Sequence, residues 1–155
     1  MARRVFFNFH FERDIFRANQ VRNSNVVAGA NVAGFFDHSE YAEAKKKNAG
    51  TIRRLIRQRL ERTTVTVVLI GKQTAGRTWV REEIDLSISR KNGLLGIYIH
   101  HLLDMDGESN WLAGPDPQVP DGIPFPKYKW DKDLERFSDA IEAAALRAET
   151  WRGRP

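Results

Sequence analysis

The sequence predicts an α/β fold in which a central, mainly parallel sheet carries helices on both faces. Strand-length apolar stretches alternate with amphipathic stretches of helical length along the chain. Two of the strand-like stretches, "TVTVVLIG" (64–71) and "LLGIYIHHL" (94–102), are hydrophobic almost throughout, as strands buried on both faces are. The length of 155 residues suits one domain, so we expect 1–155 to fold as a single domain.

The first half of the chain contains two predicted strands and three predicted helices. A strand covers "RRVFFNFHF" (3–11), and a helix covers "ERDIFRANQVRN" (12–23). A second strand runs from about Ala33 to Phe36, a short helix in "HSEYAEAKKKNAG" closes at Gly50, and a clearer helix covers "TIRRLIRQRLER" (51–62). Ile15, Phe16, Ala18 and Val21 recur at a rough helical spacing in the first of these helices, and Ile52, Leu55, Ile56 and Leu60 fall on one face of the last.

The second half contains the two apolar strands, a helix between them and a closing helix. The middle helix begins near Thr78, a suitable N-cap, and ends at Asn92 and Gly93. A loop from about 104 to 129 contains five of the six prolines and has room for a short edge strand near Tyr128 to Trp130. The closing helix, about 132–150, carries an apolar stripe of Leu134, Phe137, Ile141 and Ala145.

Composition excludes several classes of protein. The chain has no cysteine, so it forms neither a disulfide scaffold nor a thiolate metal site. No apolar run approaches the roughly 20 residues of a membrane span. The N-terminus resembles a signal peptide only superficially, because Asn8, His10 and Glu12 interrupt its apolar stretch. We therefore expect a cytoplasmic protein with no membrane partner.

A net charge of +5, with a basic cluster from Lys45 to Arg62, raises the question of nucleic-acid binding. The same pattern is typical of the solvated face of an amphipathic helix. Only Tyr41 lies close by as an aromatic residue on which a base could stack. The sequence therefore disfavours nucleic acid as the partner.

Ligands of parallel sheets bind at the carboxyl ends of the strands, which here are 9–11, 36–38, 71–73 and 100–101. There is no GxGxxG, Walker A or GxSxG motif. A phosphorelay receiver would need an acid at the end of the third strand, which instead reads "LIGKQ". The side chains of His100 and His101 should point to opposite faces of their strand, so we expect no metal site.

The helix "TWVREEIDLSISRK" contains two adjacent acids in different settings. At about 100° per residue, Val80, Ile84 and Ile88 form the packed stripe. Glu82 then projects roughly opposite the stripe, into water, and Glu83 lies roughly 80–90° from its centre, on the flank of Trp79. Acids are favoured in any first helical turn, so spacing alone leaves a purely structural role for Glu83 open.

The ordered motifs resemble those of TIR domains. "VFFNFHFERD" is similar to their first box, a strand of the type FISYS followed by an acid. "TVTVVLIGKQTAGRTWVREEI" is similar to their strand–loop–helix segment, in which a Trp precedes the glutamate of NAD-cleaving members by four positions, as Trp79 precedes Glu83. The most similar subgroup is the TIR-like family of archaeal MTH-type and bacterial Thoeris proteins. The resemblance covers Arg4 to about His101.

The resemblance implies a flavodoxin-like, TIR-like three-layer fold and cleavage of NAD, as substrate rather than cofactor, between ribose and nicotinamide. Glu83 would be the catalytic carboxylate that stabilises positive charge on the ribose. The residues that would surround the substrate are Phe9, His10, Phe11, Asn19, Arg22, Asp37, Lys72, Arg77 and Trp79. Phe9 and Phe11 also suit core packing, and Arg22 suits a surface role.

The resemblance further implies antiphage defence signalling. The product would be ADP-ribose or a cyclic isomer that activates a separate effector, with homo-oligomeric TIR–TIR assembly and a phage-derived trigger. Two departures from the usual TIR pattern concern recognition and assembly: "FFDHSEYAEAKKKNAG" replaces the usual BB loop, and Arg77 replaces a serine. A non-catalytic TIR scaffold that acts by homotypic assembly is therefore the alternative function.

Overall fold

The computed structural model describes residues 3–24, 27–28, 43–44 and 46–153, with the backbone alone at 27–28. The strands are β1 (Arg3–Asn8), β2 (Val27–Ala28), β3 (Val65–Ile70), β4 (Gly93–Tyr98) and β5 (Lys127–Lys129). The helices are α1 (Phe11–Arg22), α2 (Ala49–Leu60), α3 (Thr78–Ser89) and α4 (Leu134–Trp151), with a 3-10 turn at Thr74–Gly76. The strand predicted from about Ala33 to Phe36 lies outside the described residues.

The five strands form one parallel sheet in the order β2-β1-β3-β4-β5. β1 and β3 pair from Val5 with Val65 to Asn8 with Val68. All six residues of β3 are buried, as its unbroken hydrophobicity predicted. The predicted edge strand is present as β5, and the prediction of a parallel α/β sheet is confirmed.

Helices cover both faces of the sheet. On one face, α1 and α4 pack on a core cluster that includes Val5 and Phe7 of β1 and Phe9 directly after it. On the other face, α2 packs over Phe6, and α3 packs over β3. Because side chains alternate along a strand, Asn8 shares the face of Phe6, beneath α2 and α3. This alternation sends one polar side chain of β1 into the layer that contains α3.

Several local expectations were wrong. Gly50 does not close a helix but lies in the first turn of α2, which Asn48 caps through its side chain at 2.8 Å from the Thr51 amide. Thr78 is the first helical residue of α3, and Arg77 holds the cap position without a side-chain cap bond. Leu134, predicted on the apolar stripe of the closing helix, is exposed, and so is Phe16 of α1.

The loop that follows β4 is fixed to α1 by a buried arginine. Arg17 donates from Nε to the carbonyl of Leu102 (2.8 Å) and from Nη2 to the carbonyl of Glu108 (3.0 Å). Its Nη1 pairs with Asp14 at 2.8 Å. Burial raises the pKa of the Asp14 carboxyl, and the hydrogen bond from Arg17 opposes that change. This network holds the loop over the carboxyl edge of the sheet.

Across the described ranges, none of the helices has the length and apolar character needed to cross a bilayer.

We predict that Gly93→Ala destabilises the fold. A Cβ atom at position 93 would lie 2.0 Å from the backbone oxygen of Ala144, so α4 would have to move away from β4. Overpacking of this kind should lower the free energy of unfolding by about 1–3 kcal/mol, measured by urea denaturation. Gly76→Ala is the control, because a Cβ atom there has no neighbour within 4 Å. Equal stability of the two variants would contradict this account of the α4 contact.

Candidate active site

The sheet order reverses between β1 and β3, and the chain leaves these neighbouring strands in opposite directions. Such a switch point opens a crevice at the carboxyl edge, where α/β proteins bind ligands. The residues at this edge are Asn8, Phe9 and His10 from β1 and Gly71 and Lys72 from β3. Arg77 and α3 follow directly from the end of β3.

Glu83 lies under the end of β1. Its side chain is 2% exposed. The Asn8 side chain donates from Nδ2 to Glu83 Oε1 at 2.8 Å and to the carbonyl of Val80 at 3.1 Å. Asn8 is itself fully buried, and its Oδ1 has no hydrogen-bond partner among the described residues. A carboxylate is therefore held at the switch point by a side-chain amide from the neighbouring strand.

Glu82 has a different environment, although not the one predicted. Its side chain is only 34% exposed and lies 3.8 Å from Arg53 of α2. The prediction that it projects into water was wrong, because α2 packs beside α3 and covers the side opposite the stripe. Trp79 packs on the cluster of Phe6, Ile52 and Ile56, and it lines with Glu82 a cavity of about 350 Å³ between the two helices.

Sequence reasoning did not single out Asn8. The signal was a polar residue within the apolar stretch "VFFNF". Period-two alternation places Asn8 on the face opposite Phe7 and Phe9. The contact between Asn8 and Glu83 depends on the pairing of β1 with β3 and on the rotation of α3 about its axis. The local sequence specifies neither.

His10 caps α1 as a neutral imidazole. Its Nδ1 accepts from the amide of Arg13 at 3.3 Å, so the ring proton belongs on Nε2. Burial, followed by the nearby charge of Arg77, lowers the pKa of His10 below its usual 6.5. The Nδ1 atom also lies 3.5 Å from Glu12, but a neutral ring that already accepts at Nδ1 forms no ion pair there.

Arg77 joins the two helices that border the crevice. Its guanidinium pairs with Glu12 in the first turn of α1. The 3-10 turn before it is tied to the end of β3, because the amide of Gly71 donates to Thr74 Oγ1 at 2.7 Å. The rim of the site therefore combines an arginine, a carboxylate and a neutral histidine.

The family model described as "Thoeris protein ThsB, TIR-like domain" matches residues 6–104. The chain belongs to this family. It is also 45% identical over 119 residues to "Putative cyclic ADP-D-ribose synthase ThsB1" of Bacillus cereus (strain MSX-D12). The match covers 76% of this chain and 62% of that relative. The matched range of the family model contains the second half of β1, all of β2 to β4, and both Asn8 and Glu83.

Within this TIR-like domain, the "FHF" stretch divides between core and edge. Phe9 is 1% exposed and belongs to the core beneath α1 and α4. Its ring stacks on that of Phe11, with centroids 6.0 Å apart. His10 lies at the rim, with its Nδ1 atom 3.5 Å from Glu12 and its pKa lowered in part by the charge of Arg77.

Asn19 and Arg22 are not brought to Glu83. They lie in the second half of α1, which leads from the end of β1 back toward the start of the parallel strand β2. Asn19 is therefore about 12 Å further along the helix axis than Phe11. Asp37, which was also predicted to surround the substrate, lies outside the described residues.

Lys72 is exposed at the end of β3, beside the Pro-rich loop. A Cβ atom at Gly114 would lie 2.1 Å from the carbonyl oxygen of Lys72, and the φ angle of Gly114 is +79°. Glycine therefore allows this loop to run directly against the strand end. A segment that lies beyond the family match thus packs against the carboxyl end of β3.

His100 and His101 are adjacent in space, contrary to the prediction of opposite faces. They follow β4 in a turn, where strand alternation no longer applies, and their ring centroids are 5.2 Å apart. His101 Nε2 lies 2.8 Å from the carbonyl of Trp130, and burial lowers the pKa of both rings. Within the described ranges, no three potential ligand side chains converge as a metal site would require.

We predict that His10 titrates below pH 6.5, its ordinary value, and that Arg77→Met moves its midpoint upward by removing a nearby positive charge. Proton NMR across pH 4–8 measures both midpoints, and Lys72→Met is the matched control. A lowered folded-state pKa means that the unfolded chain binds the proton more readily, so this group's contribution to stability falls as the pH drops below 6.5. An unchanged midpoint in Arg77→Met would contradict the proximity of these charges.

Proposed function

We propose that this TIR-like domain cleaves NAD at the bond between ribose and nicotinamide and forms a cyclic ADP-ribose-type product. The observation that carries the proposal is the Glu83 carboxylate, held by Asn8 at the switch point of a TIR-like sheet. The Bacillus cereus relative is named "Putative cyclic ADP-D-ribose synthase ThsB1", which supports the same chemistry. The match covers 62% of that relative, so we propose the activity for this chain rather than take it from the name of the relative.

The proposed reaction depends on a fixed carboxylate and needs little help from a general acid, because nicotinamide leaves as a neutral molecule. The C1′–N bond of NAD breaks, its electron pair goes to the pyridinium nitrogen, and neutral nicotinamide leaves. Positive charge then develops on the ribose, where a carboxylate in a dry setting stabilises it strongly. Asn8 donates to one oxygen of Glu83 and thereby fixes the orientation of the other toward the ribose.

The choice between a cyclic product and ADP-ribose depends on which group attacks C1′. Attack by water would give ADP-ribose, whereas attack by an acceptor atom of the same nucleotide closes a ring. The name of the Bacillus cereus relative favours the cyclic product. In the free protein, Glu83 is only 2% exposed. The same burial means that the atoms covering Glu83 must move for NAD to reach it, which substrate binding or TIR–TIR assembly would drive.

In the cell, we propose that the nucleotide product activates a separate effector in response to a phage-derived trigger. This assignment follows the Thoeris context of the family. NAD is a substrate in this scheme, and the chain needs no resident cofactor.

An exposed apolar surface favours the second candidate function, a non-catalytic scaffold that assembles with other TIR domains. On the loop after β4, Trp111 is 94% exposed and Met105 and Leu112 are also exposed. Large apolar side chains that are exposed together on one loop are typical of protein contact surfaces. A purified protein that forms defined oligomers but leaves NAD intact, with and without phage lysate, would favour the scaffold.

We predict that Glu83→Gln lowers NAD turnover by at least about 100-fold, because the amide cannot stabilise the developing cation. Glu82→Gln should retain activity within about threefold, because only its partly exposed contact with Arg53 is lost. Nicotinamide release and nucleotide products are measured by mass spectrometry at matched protein concentration and oligomeric state. If folded Glu83→Gln and Glu82→Gln lose the same amount of activity, the two acids do not differ in function as proposed. Full activity of Glu83→Gln would rule out Glu83 as the catalytic residue.

We predict that Asn8→Asp moves the acid limb of the kcat–pH profile to higher pH. The variant would place two carboxylates at hydrogen-bond distance, and such a pair shares a proton at neutral pH. Activity at pH 7 should fall about tenfold and recover partly at higher pH, with a smaller change in KM. Asn92→Asp is the matched control, because Asn92 is also buried but bonds to Thr63 and Thr66 instead. A loss of activity that is the same at every pH would indicate a purely structural role for Asn8.

A further inference from the structure

A second cavity lies at the amino edge of the sheet, opposite the crevice that contains Glu83. Its volume is about 490 Å³, and its walls come from 122–124 and from the last turns of α4. The lining residues are Gly122, Ile123, Pro124, Leu146, Arg147, Thr150 and Trp151. The six residues of β4 separate the two edges by about 20 Å. A ligand here would not overlap the proposed NAD site.

The walls of this cavity are apolar and include a large aromatic ring. Ile123 and Pro124 precede β5 on one side, and Leu146 and Trp151 project from α4 on the other. Leu146 is 56% exposed and Trp151 is partly exposed, so the cavity opens to solvent. Its volume is within the range of small-molecule sites and suits one or two fused rings.

Arg147 gives the cavity an uncompensated positive charge. Its Nη2 donates to the carbonyl of Leu94 at 2.8 Å, and burial lowers its pKa. Within the part of the chain that the structure describes, no carboxylate pairs with it. The nearby Glu149 is engaged with Arg3 at 3.3 Å. A partly desolvated guanidinium with only one neutral partner retains donors for a bidentate anion.

We propose that this cavity binds a small aromatic carboxylate, with its ring against Trp151 and its anionic group on Arg147. Trp151 and the apolar walls suit a flat ring system, whereas a purely polar anion would leave those walls unfilled. The guanidinium matches the geometry of a carboxylate and distinguishes it from a neutral molecule of the same shape. The inference is independent of NAD chemistry, because it concerns the other edge of the sheet.

The test compares 2-naphthoate with 2-naphthol, which share a ring system but differ in charge at pH 7. Binding to the full chain is measured by calorimetry and by backbone amide NMR. We expect 2-naphthoate to bind with a Kd of about 1 mM or tighter and to shift the amides of 122–124 and 146–151. We expect 2-naphthol to bind at least about fivefold more weakly. No binding of 2-naphthoate at 10 mM, or equal binding of the two compounds, would overturn the proposal.

Two variants identify the recognition element. Arg147→Met keeps most of the side-chain volume, and it should weaken 2-naphthoate about tenfold while changing 2-naphthol less than about twofold. Leu146→Glu alters an exposed wall residue, so it should fold normally and weaken 2-naphthoate by electrostatic repulsion. Arg81→Met, an exposed arginine on α3, is the matched control and should bind as the parent does.

The variants also separate a ligand site from other occupants of the cavity. Amide dispersion and the unfolding midpoint establish whether each variant is folded. If Arg147→Met does not fold, Leu146→Glu still tests the site. Unchanged 2-naphthoate affinity in the folded variants would overturn the role of this cavity. If protein concentration alone shifts the amides of 146–151, a second copy of the chain occupies it, and the ligand proposal fails.

Discussion

The hydrogen bond from Asn8 to Glu83 is the contact on which the architecture of the proposed active site depends. A buried carboxylate costs several kcal/mol unless donors compensate for its lost hydration. Compensation requires that β1 end beside β3 and that α3 keep one rotation about its axis. Val80 and Ile84 of α3 pack on Val68 and Ile70 of β3 and so fix that rotation. The apolar packing of α3 thus supports a polar contact at its edge.

A second buried polar network extends this arrangement along the carboxyl edge of the sheet. Arg17 reaches from α1 to two carbonyls of the loop after β4, and Asp14 supplies its counter-charge. Arg77 and Glu12 connect the start of α3 to the start of α1. The crevice is consequently bordered by elements that are tied together by charge, whereas the opposite edge carries Arg147 with no such partner among the described residues.

Much of the fold was predictable because it follows from periodicity. The unbroken apolar runs of β3 and β4, the helices α1, α3 and α4, and the edge strand β5 appear where the sequence indicated to within a few residues, whereas β2 (Val27–Ala28) was not predicted. The failures share one physical origin, which is that local patterns do not include neighbouring elements. The side chain of Glu82 was predicted to project into water, but Arg53 of α2 lies beside it and it is only 34% exposed. The side chains of His100 and His101 were predicted to point to opposite faces of a strand, but a turn brings their rings together.

The sequence by itself determined the layered α/β fold, the family and the inequality of Glu82 and Glu83, because these depend on hydrophobic spacing and ordered motifs. The tertiary structure alone decided that Glu83 lies beneath Asn8, that Trp79 packs toward α2, and that Asn19 and Arg22 lie far from the crevice. It also revealed the cavity beside Arg147. These outcomes depend on which strands pair and how helices rotate against them, and such long-range packing leaves no signature in any single segment.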